Sequence, residues 1–288
     1  MKDINLIFYN RNEYNTVGCH VTYFKNVLFK NFNVNVKFNY DILTPNNIFI
    51  IWRNYENFLS IAQNYEKNNI KFGAIHIGRE RYEPHKTKWY RYAKFIIKKG
   101  YNQEYLKIPN VYYMPMGYKI YNKNINGVIN VIGQTFDRCY LYNFVGTTGN
   151  GSFRGIDRNK LYNSFLNHDK RYNRKVEILN NDKVLTSKQY FTILKKSIFT
   201  ICPYGNNLET LRHWEALECG SIPIIKDAPF LNELKNHPFI VINNYSDLFS
   251  FFDNVTDEFI KTKQNETKKW WNDKKDELTK FYSNLLEM

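Results

Sequence analysis

Apolar residues in this chain gather into short, dense runs and do not alternate with polar ones. Ile4 to Phe8, Val34 to Phe38, Ile48 to Trp52, Phe72 to Ile77, Lys94 to Ile97 and Val111 to Met114 are such runs. Runs of this length, rich in β-branched and aromatic residues, predict strands buried on both faces, as in parallel sheets. Helical stretches are expected between them, near His20 to Lys30 after a polar loop through Gly18, and from Tyr55 to Asn68. Tyr118 to Arg138 is rich in Asn, Lys and Gly without clear periodicity, which predicts a connection. From Tyr140 the alternation restarts. Strands are expected at Leu141 to Val145, Lys175 to Leu179, Ile198 to Cys202, Ile222 to Ile225 and Pro238 to Ile242. Helices are expected at Asp157 to Leu166, Ser187 to Lys196 and Leu211 to Glu218; Asp247 to Phe252 and two further helices follow, ending in Lys268 to Leu286. Strand and helix in alternation mean an α/β chain with doubly wound parallel sheets. The predicted divisions are residues 1–125, 126–265 and a terminal helix over 266–288.

The stretch Ser197 to Ile225 carries the most chemistry. Pro203 and Gly205 break the strand that ends at Cys202, Thr210 stands where an N-cap belongs, and Gly220 stops the helix. This is a strand–loop–helix–strand unit, and its loop lies where such folds bind ligands. Arg212 and Glu215 share one helix face near its N-terminus. A cation there suits a diphosphate, and a carboxylate one turn on suits two ribose hydroxyls. An isolated Arg-x-x-Glu commonly decorates a solvated helix face; within this frame the pair points to a nucleotide-sugar site.

The stretch resembles the signature of exostosin-like glycosyltransferases, of the form S-x-F-x-(hydrophobic)-x-P-x-G, then R-x-x-E-A, then G-x-(I/V)-P-(I/V). Ser197, Phe199, Pro203, Gly205, Arg212, Glu215, Ala216, Gly220, Ile222, Pro223 and Ile224 match it in order and spacing. The resemblance implies a GT-B fold, with two Rossmann-like lobes facing a central cleft and a C-terminal helix crossing back to the first lobe. Residues 1–125 would be the acceptor side and 126–265 the donor-binding lobe. It implies an inverting transfer to a glycan acceptor with no metal and no tightly bound cofactor. The co-substrate would be a nucleotide-sugar, a UDP-sugar such as UDP-xylose, UDP-glucuronic acid or UDP-N-acetylglucosamine.

Under this reading Arg212 stabilises the departing diphosphate, with Arg154 and Lys195 assisting, and Glu215 holds the ribose. Pro203, Gly205, Asn206, Asn207 and Thr210 lie where they would meet the sugar or its diphosphate. The loop Gly146, Thr147, Thr148 would bring backbone N–H groups to the phosphates, although the same residues also suit a solvated turn. His213 and Trp214 turn away from Arg212, toward packing. In the first half, Ala74 to Glu80 and Val111 to Tyr118 resemble paired segments of related sequences, with Arg79 where an Asp is common and Glu80 kept. His76 and Glu80 are the candidates for the catalytic base, Glu83 and His85 follow, and His20 is a further possibility. A His inside an apolar strand is more often a core residue.

Charge adds a competing reading. Lys and Arg outnumber Asp and Glu by 41 to 27, a formal charge of +14, so an anionic partner is expected. The alternative is a basic protein binding nucleic acid or acidic glycan on a catalytically silent GT-B fold. The best basic cluster is Arg79, Arg81, His85, Lys86, Lys88 and Arg91. It lacks the spacing of a nucleic-acid motif, and an AT-rich genome of viral or other origin would itself enrich lysine. Cys19, Cys139, Cys202 and Cys219 are scattered without metal spacing, which fits a reducing compartment. The chain opens directly into a strand-like run, and no apolar segment reaches the roughly 18–20 residues of a membrane span. A soluble, cytoplasmic protein without a transmembrane segment is the expectation.

Overall fold

The structure, a computed structural model, describes all residues but 41–42, 53–54, 79–82, 121–124, 134, 136, 147–152, 167–174, 180–184 and 288; for 55–57, 125–127, 153–155, 166 and 175–179 it describes the backbone alone. The chain divides into two compact units, one of residues 1–119 and 275–288, the other of 120–274.

In the first unit the strands are β1 (Lys2–Phe8), β2 (Phe32–Phe38), β3 (Asn47–Ile51), β4 (Gly73–His76), β5 (Phe95–Lys99) and β6 (Val111–Met114). All pairs are parallel, in the order β2-β1-β3-β4-β5-β6. Strands β3, β4 and β5 are buried at every position, which is why they read as unbroken apolar runs. The helical segments are α1 (Arg11–Val17), the single turn α2 (Val21–Tyr23), α3 (Tyr55–Lys67) and α4 (Gln103–Leu106). Helix α1 replaces the polar loop expected before Gly18. Its signal is a cap and not a hydrophobic period: Asn10 Oδ1 accepts from Glu13 N–H at 2.9 Å, and Glu13 Oε2 accepts from Tyr9 N–H at 2.8 Å. That reciprocal pairing satisfies donors that would otherwise be orphaned.

The second unit holds β7 (Tyr140–Val145), β8 (Lys175–Leu179), β9 (Ser197–Cys202), β10 (Ile222–Lys226) and β11 (Ile240–Ile242), again parallel, in the order β11-β10-β9-β7-β8. Helices α5 (Ile125–Gly133), α6 (Phe153–Leu166), α7 (Ser187–Lys196), α8 (Leu211–Glu218) and α9 (Asp247–Asn254) flank it. Helix α5 lies inside the stretch expected to be a connection; Val128 and Val131 are its buried residues. Pro223 lies in β10 opposite Thr200 of β9 and ahead of the pairing with β11, which begins at Ile224. Phe144, Phe199, Ile201, Ile224 and Leu248 are fully buried in the core, each such side chain adding about 1.5–3 kcal/mol.

One helix, α10 (Asp257–Glu287), stands where two were expected. Its last turns belong to the first unit, where Tyr282 donates to the Tyr113 carbonyl at 2.8 Å and Thr279 to that of Val27. Among the described residues no helix is long and apolar enough to cross a membrane.

Candidate functional site

In the second sheet β7 is followed by β8 on one side and β9 on the other, so the winding reverses between β7 and β9. Loops leaving the carboxyl ends of two such strands splay apart and leave a crevice for ligands. The residues singled out by the sequence follow these two strands: Gly146, Thr147 and Thr148 follow β7, and Pro203 to Thr210 follow β9.

Arg212 reaches from the first turn of α8 to the end of β7, where Nη2 donates to the Val145 carbonyl. Its guanidinium carbon lies 4.9 Å from the centre of the Phe144 ring. The residue is 9% exposed, yet among the described residues Nε and Nη1 have no partner. Buried guanidinium donors left unpaired are costly. A Cβ at Gly146 would stand 2.6 Å from Arg212 Nη2, so a larger residue there would push the guanidinium aside.

Glu215 lies one turn on, 7% exposed, and its Oε2 accepts from the Tyr190 hydroxyl at 2.7 Å. Burial, with the carboxylate beside it, holds the Tyr190 proton well above the ordinary tyrosine range. Tyr190 therefore acts as a fixed donor that orients Glu215.

The loop between β9 and α8 is pinned from several sides. Asp157 Oδ2 on α6 accepts from Tyr204 N–H at 3.1 Å and from the Tyr245 hydroxyl, while Lys226 Nζ sits 3.4 Å from Oδ1. Arg158 Nε donates to the Tyr204 carbonyl at 3.2 Å. Glu209, 1% exposed, accepts from the Trp214 indole at 2.8 Å. Asp157, Arg158, Glu209 and Tyr190 were not anticipated. Asp157 and Tyr245 are 88 positions apart, so no local spacing announces the pair, whereas Glu209 and Trp214 lie within the motif.

Thr210 occupies the N-cap, where it was expected, in an extended conformation, although its hydroxyl is buried without a hydrogen-bond partner among the described residues. His213 does the work instead: Nδ1 accepts from Thr210 N–H at 3.0 Å and the ring bonds the Cys202 carbonyl. Burial, reinforced by Arg212, lowers the imidazole to about 3. The neutral ring thus ties the end of β9 to the start of α8, in line with its expected packing role. Helix α8 ends in a Schellman motif, with Gly220 N–H on Leu217 O and Ser221 N–H on Ala216 O, both at 2.9 Å.

Other expected residues fall elsewhere. Pro203 and Gly205 are buried and Asn206 is exposed in the same loop, where Gly205 N–H donates to Asn207 O at 3.0 Å. Lys195 neighbours Cys219, Arg138, Glu218 and Lys268, at the opposite end of α8 from Arg212. His76 is fully buried, bonded through Nδ1 to the Tyr90 hydroxyl and ringed by Trp89, Tyr90 and Tyr105. That environment belongs to a packed core histidine and not to a base open to an acceptor. Glu80, Thr147, Thr148 and the side chain of Arg154 lie outside the described residues. Among the described residues no three His, Cys, Asp or Glu side chains gather as metal ligands.

The model of the RXYLT1 C-terminal domain family matches residues 121–288, more than half of the 288 residues. Ribitol-5-phosphate xylosyltransferase 1 of Danio rerio is 30% identical over 129 residues, 44% of this chain and 29% of the relative. The Homo sapiens protein of the same name is 28% identical over 213 residues, 67% of this chain and 47% of the relative. The chain therefore spans less than half the length of these curated relatives. Among solved structures, TarM superposes with a TM-score of 0.54 at 10% identity, covering 94% of this chain and 58% of that one. A UDP-forming α,α-trehalose-phosphate synthase from Burkholderia xenovorans gives 0.55 at 10% identity, covering 85% and 74%. Likeness at this identity bears on the fold alone, and the fold is GT-B. The match specifies a glycosyltransferase family but not the exostosin-like kinship read from the motif.

Proposed function

The chain belongs to the RXYLT1 C-terminal domain family, and from that premise we propose that it transfers a sugar from a UDP-sugar to a glycan acceptor, with inversion and without a metal. The observation that carries the reading is Arg212: two buried guanidinium donors, unpartnered among the described residues, at a sheet switch point, one helical turn from Glu215. A diphosphate would meet both donors and the N-terminus of α8, and Glu215, oriented by Tyr190, would take the ribose hydroxyls.

In this reaction an acceptor hydroxyl oxygen attacks the anomeric carbon of the donor. The bond from that carbon to the diphosphate oxygen breaks, and its electron pair leaves with the diphosphate. Arg212 offsets the charge that develops there, and Arg154 and the N–H groups around Gly146 to Thr148 assist. The acceptor proton passes to Glu80, in the segment after β4. Pro203, Gly205, Asn206, Asn207 and Thr210 border the donor. The exostosin-like kinship belongs to this reading and rests on the motif. So does the division into an acceptor-side lobe over 1–125, a donor lobe over 126–265 and a returning helix. The two curated relatives are named ribitol-5-phosphate xylosyltransferases, which makes UDP-xylose the favoured donor and a polyol phosphate the favoured acceptor terminus.

Incubation of the protein with UDP-xylose, UDP-glucuronic acid or UDP-N-acetylglucosamine and ribitol 5-phosphate, followed by mass spectrometry, tests this. One pentose added from UDP-xylose, with release of UDP, is the expected product. Absence of both transfer and donor hydrolysis with every donor, together with tight binding of an acidic glycan or oligonucleotide, would overturn it in favour of a binding protein.

A further inference from the structure

The first sheet has a switch point of its own. Strand β1 has β2 on one side and β3 on the other, so the winding reverses between β1 and β3, and a crevice opens at their carboxyl ends. Glu13 sits there. Its Oε2 accepts from the N–H of Tyr9, the residue after β1, at 2.8 Å. The N–H of Trp52, the residue after β3, lies against the same carboxylate. The Tyr40 hydroxyl is 3.4 Å from Oε2, but its shorter bond, at 2.7 Å, goes to the Ile50 carbonyl on β3. Glu13 is 5% exposed, and among the described residues Oε1 has no hydrogen-bond partner. Tyr9 forms the solvent side of the crevice, 36% exposed with its ring 5.4 Å from that of Tyr40.

The cap of α1 accounts for only part of this arrangement. Oε2 and the backbone N–H of Glu13 complete the reciprocal pairing with Tyr9 and Asn10, and glutamine closes such a cap as well as glutamate does. The cap therefore calls neither for a buried charge nor for an oxygen without a donor. Burial raises the Glu13 carboxyl above its ordinary range, outweighing the N–H groups of Tyr9 and Trp52 and the Tyr40 hydroxyl. A buried acceptor left unpaired costs free energy that a donor on a ligand restores. The second sheet carries the same arrangement with the opposite charge: Arg212 stands at its switch point with guanidinium donors unpartnered among the described residues. Cationic donors suit a diphosphate, and a carboxylate oxygen suits a hydroxyl group.

We propose that Glu13 is an acceptor-binding residue, whose Oε1 accepts a hydrogen bond from a hydroxyl group of the acceptor. Proton removal stays with Glu80; Glu13 holds a different hydroxyl in place. That the ligand is a glycosyl acceptor rests on the transfer reading above, whereas the need of Oε1 for a donor rests on the crevice itself.

Two variants separate binding from capping. Glu13→Gln keeps an oxygen for the Tyr9 N–H and puts an amide donor where Oε1 stood, so the cap survives and the accepting atom is lost. Asn10→Ala does the reverse, removing the other half of the cap and leaving Oε1. The probe is ribitol 5-phosphate, with UDP-xylose as donor in kinetics and calorimetric titration into the UDP-saturated protein for binding. Glu13→Gln should raise KM and Kd for the probe by about tenfold to a hundredfold, with kcat and stabilisation by UDP nearly unchanged. Asn10→Ala should lower the urea midpoint of unfolding and leave KM as it is. Unchanged KM and Kd in Glu13→Gln, or an equal rise in Asn10→Ala, overturns this inference and leaves the transferase reading standing. Probe binding that Glu13→Gln weakens, without transfer from any donor, upholds Glu13 as a binding residue and refutes the transferase reading. Neither binding nor transfer in the wild type refutes both.

Discussion

Replacing Arg212 with methionine separates its structural role from its chemical one. In the unliganded protein the guanidinium gains one charge-assisted bond to the Val145 carbonyl, worth about 1.5–3 kcal/mol, and a contact with Phe144 worth about 0.5–2 kcal/mol. Against this, Nε and Nη1 are buried without partners among the described residues, at about 1–3 kcal/mol each. These terms nearly cancel, and methionine keeps the apolar stem. Arg212→Met should therefore unfold in urea within about 2 kcal/mol of the wild type. The liganded state behaves differently. At a hundred times its dissociation constant UDP adds about 2.7 kcal/mol to the wild type. Loss of two charge-assisted bonds weakens binding by about a hundredfold or more, which reduces that gain to below about 0.5 kcal/mol. Turnover should fall by about a hundredfold or more. Paired urea titrations with and without UDP measure both quantities. Equal stabilisation of variant and wild type by UDP would refute the donor role. A loss of more than about 4 kcal/mol without ligand would mark Arg212 as a structural residue.

Two further outcomes concern the support of the site. His213 has its folded-state pKa depressed to about 3, so below its ordinary value near 6.5 the unfolded chain binds a proton that the folded chain refuses. Stability should fall by about 2 kcal/mol through this group between pH 6.5 and 5. In His213→Gln the stability–pH curve should be shallower by about one proton; an unchanged slope would contradict the neutral buried ring. Gly220 has φ +68, and a Cβ there would meet Arg138 Nη2 at 2.8 Å. Gly220→Ala should cost about 1–3 kcal/mol in urea unfolding, and a neutral effect would refute the strain.

The sequence alone determined the fold class and the central unit of the site. Strands buried on both faces leave continuous apolar runs, and Pro203, Gly205 and Gly220 punctuate the chain through local backbone geometry, so Ser197–Cys202 and Leu211–Glu218 are legible from neighbouring residues. The placement of Arg212 and Glu215 on one helix face follows from the same local periodicity. Tertiary structure decided what touches them. Arg212 reaches the end of β7, 67 positions away; Asp157 holds Tyr204 across 47; Tyr190 orients Glu215 across 25. The fold also buried His76 among aromatic rings and sent Lys195 to the far end of α8. Apolar patterning and turn residues act between near neighbours and are written in the order of the chain. Hydrogen-bond partners, burial and shifted proton affinities arise only when strands distant in sequence become adjacent in a sheet.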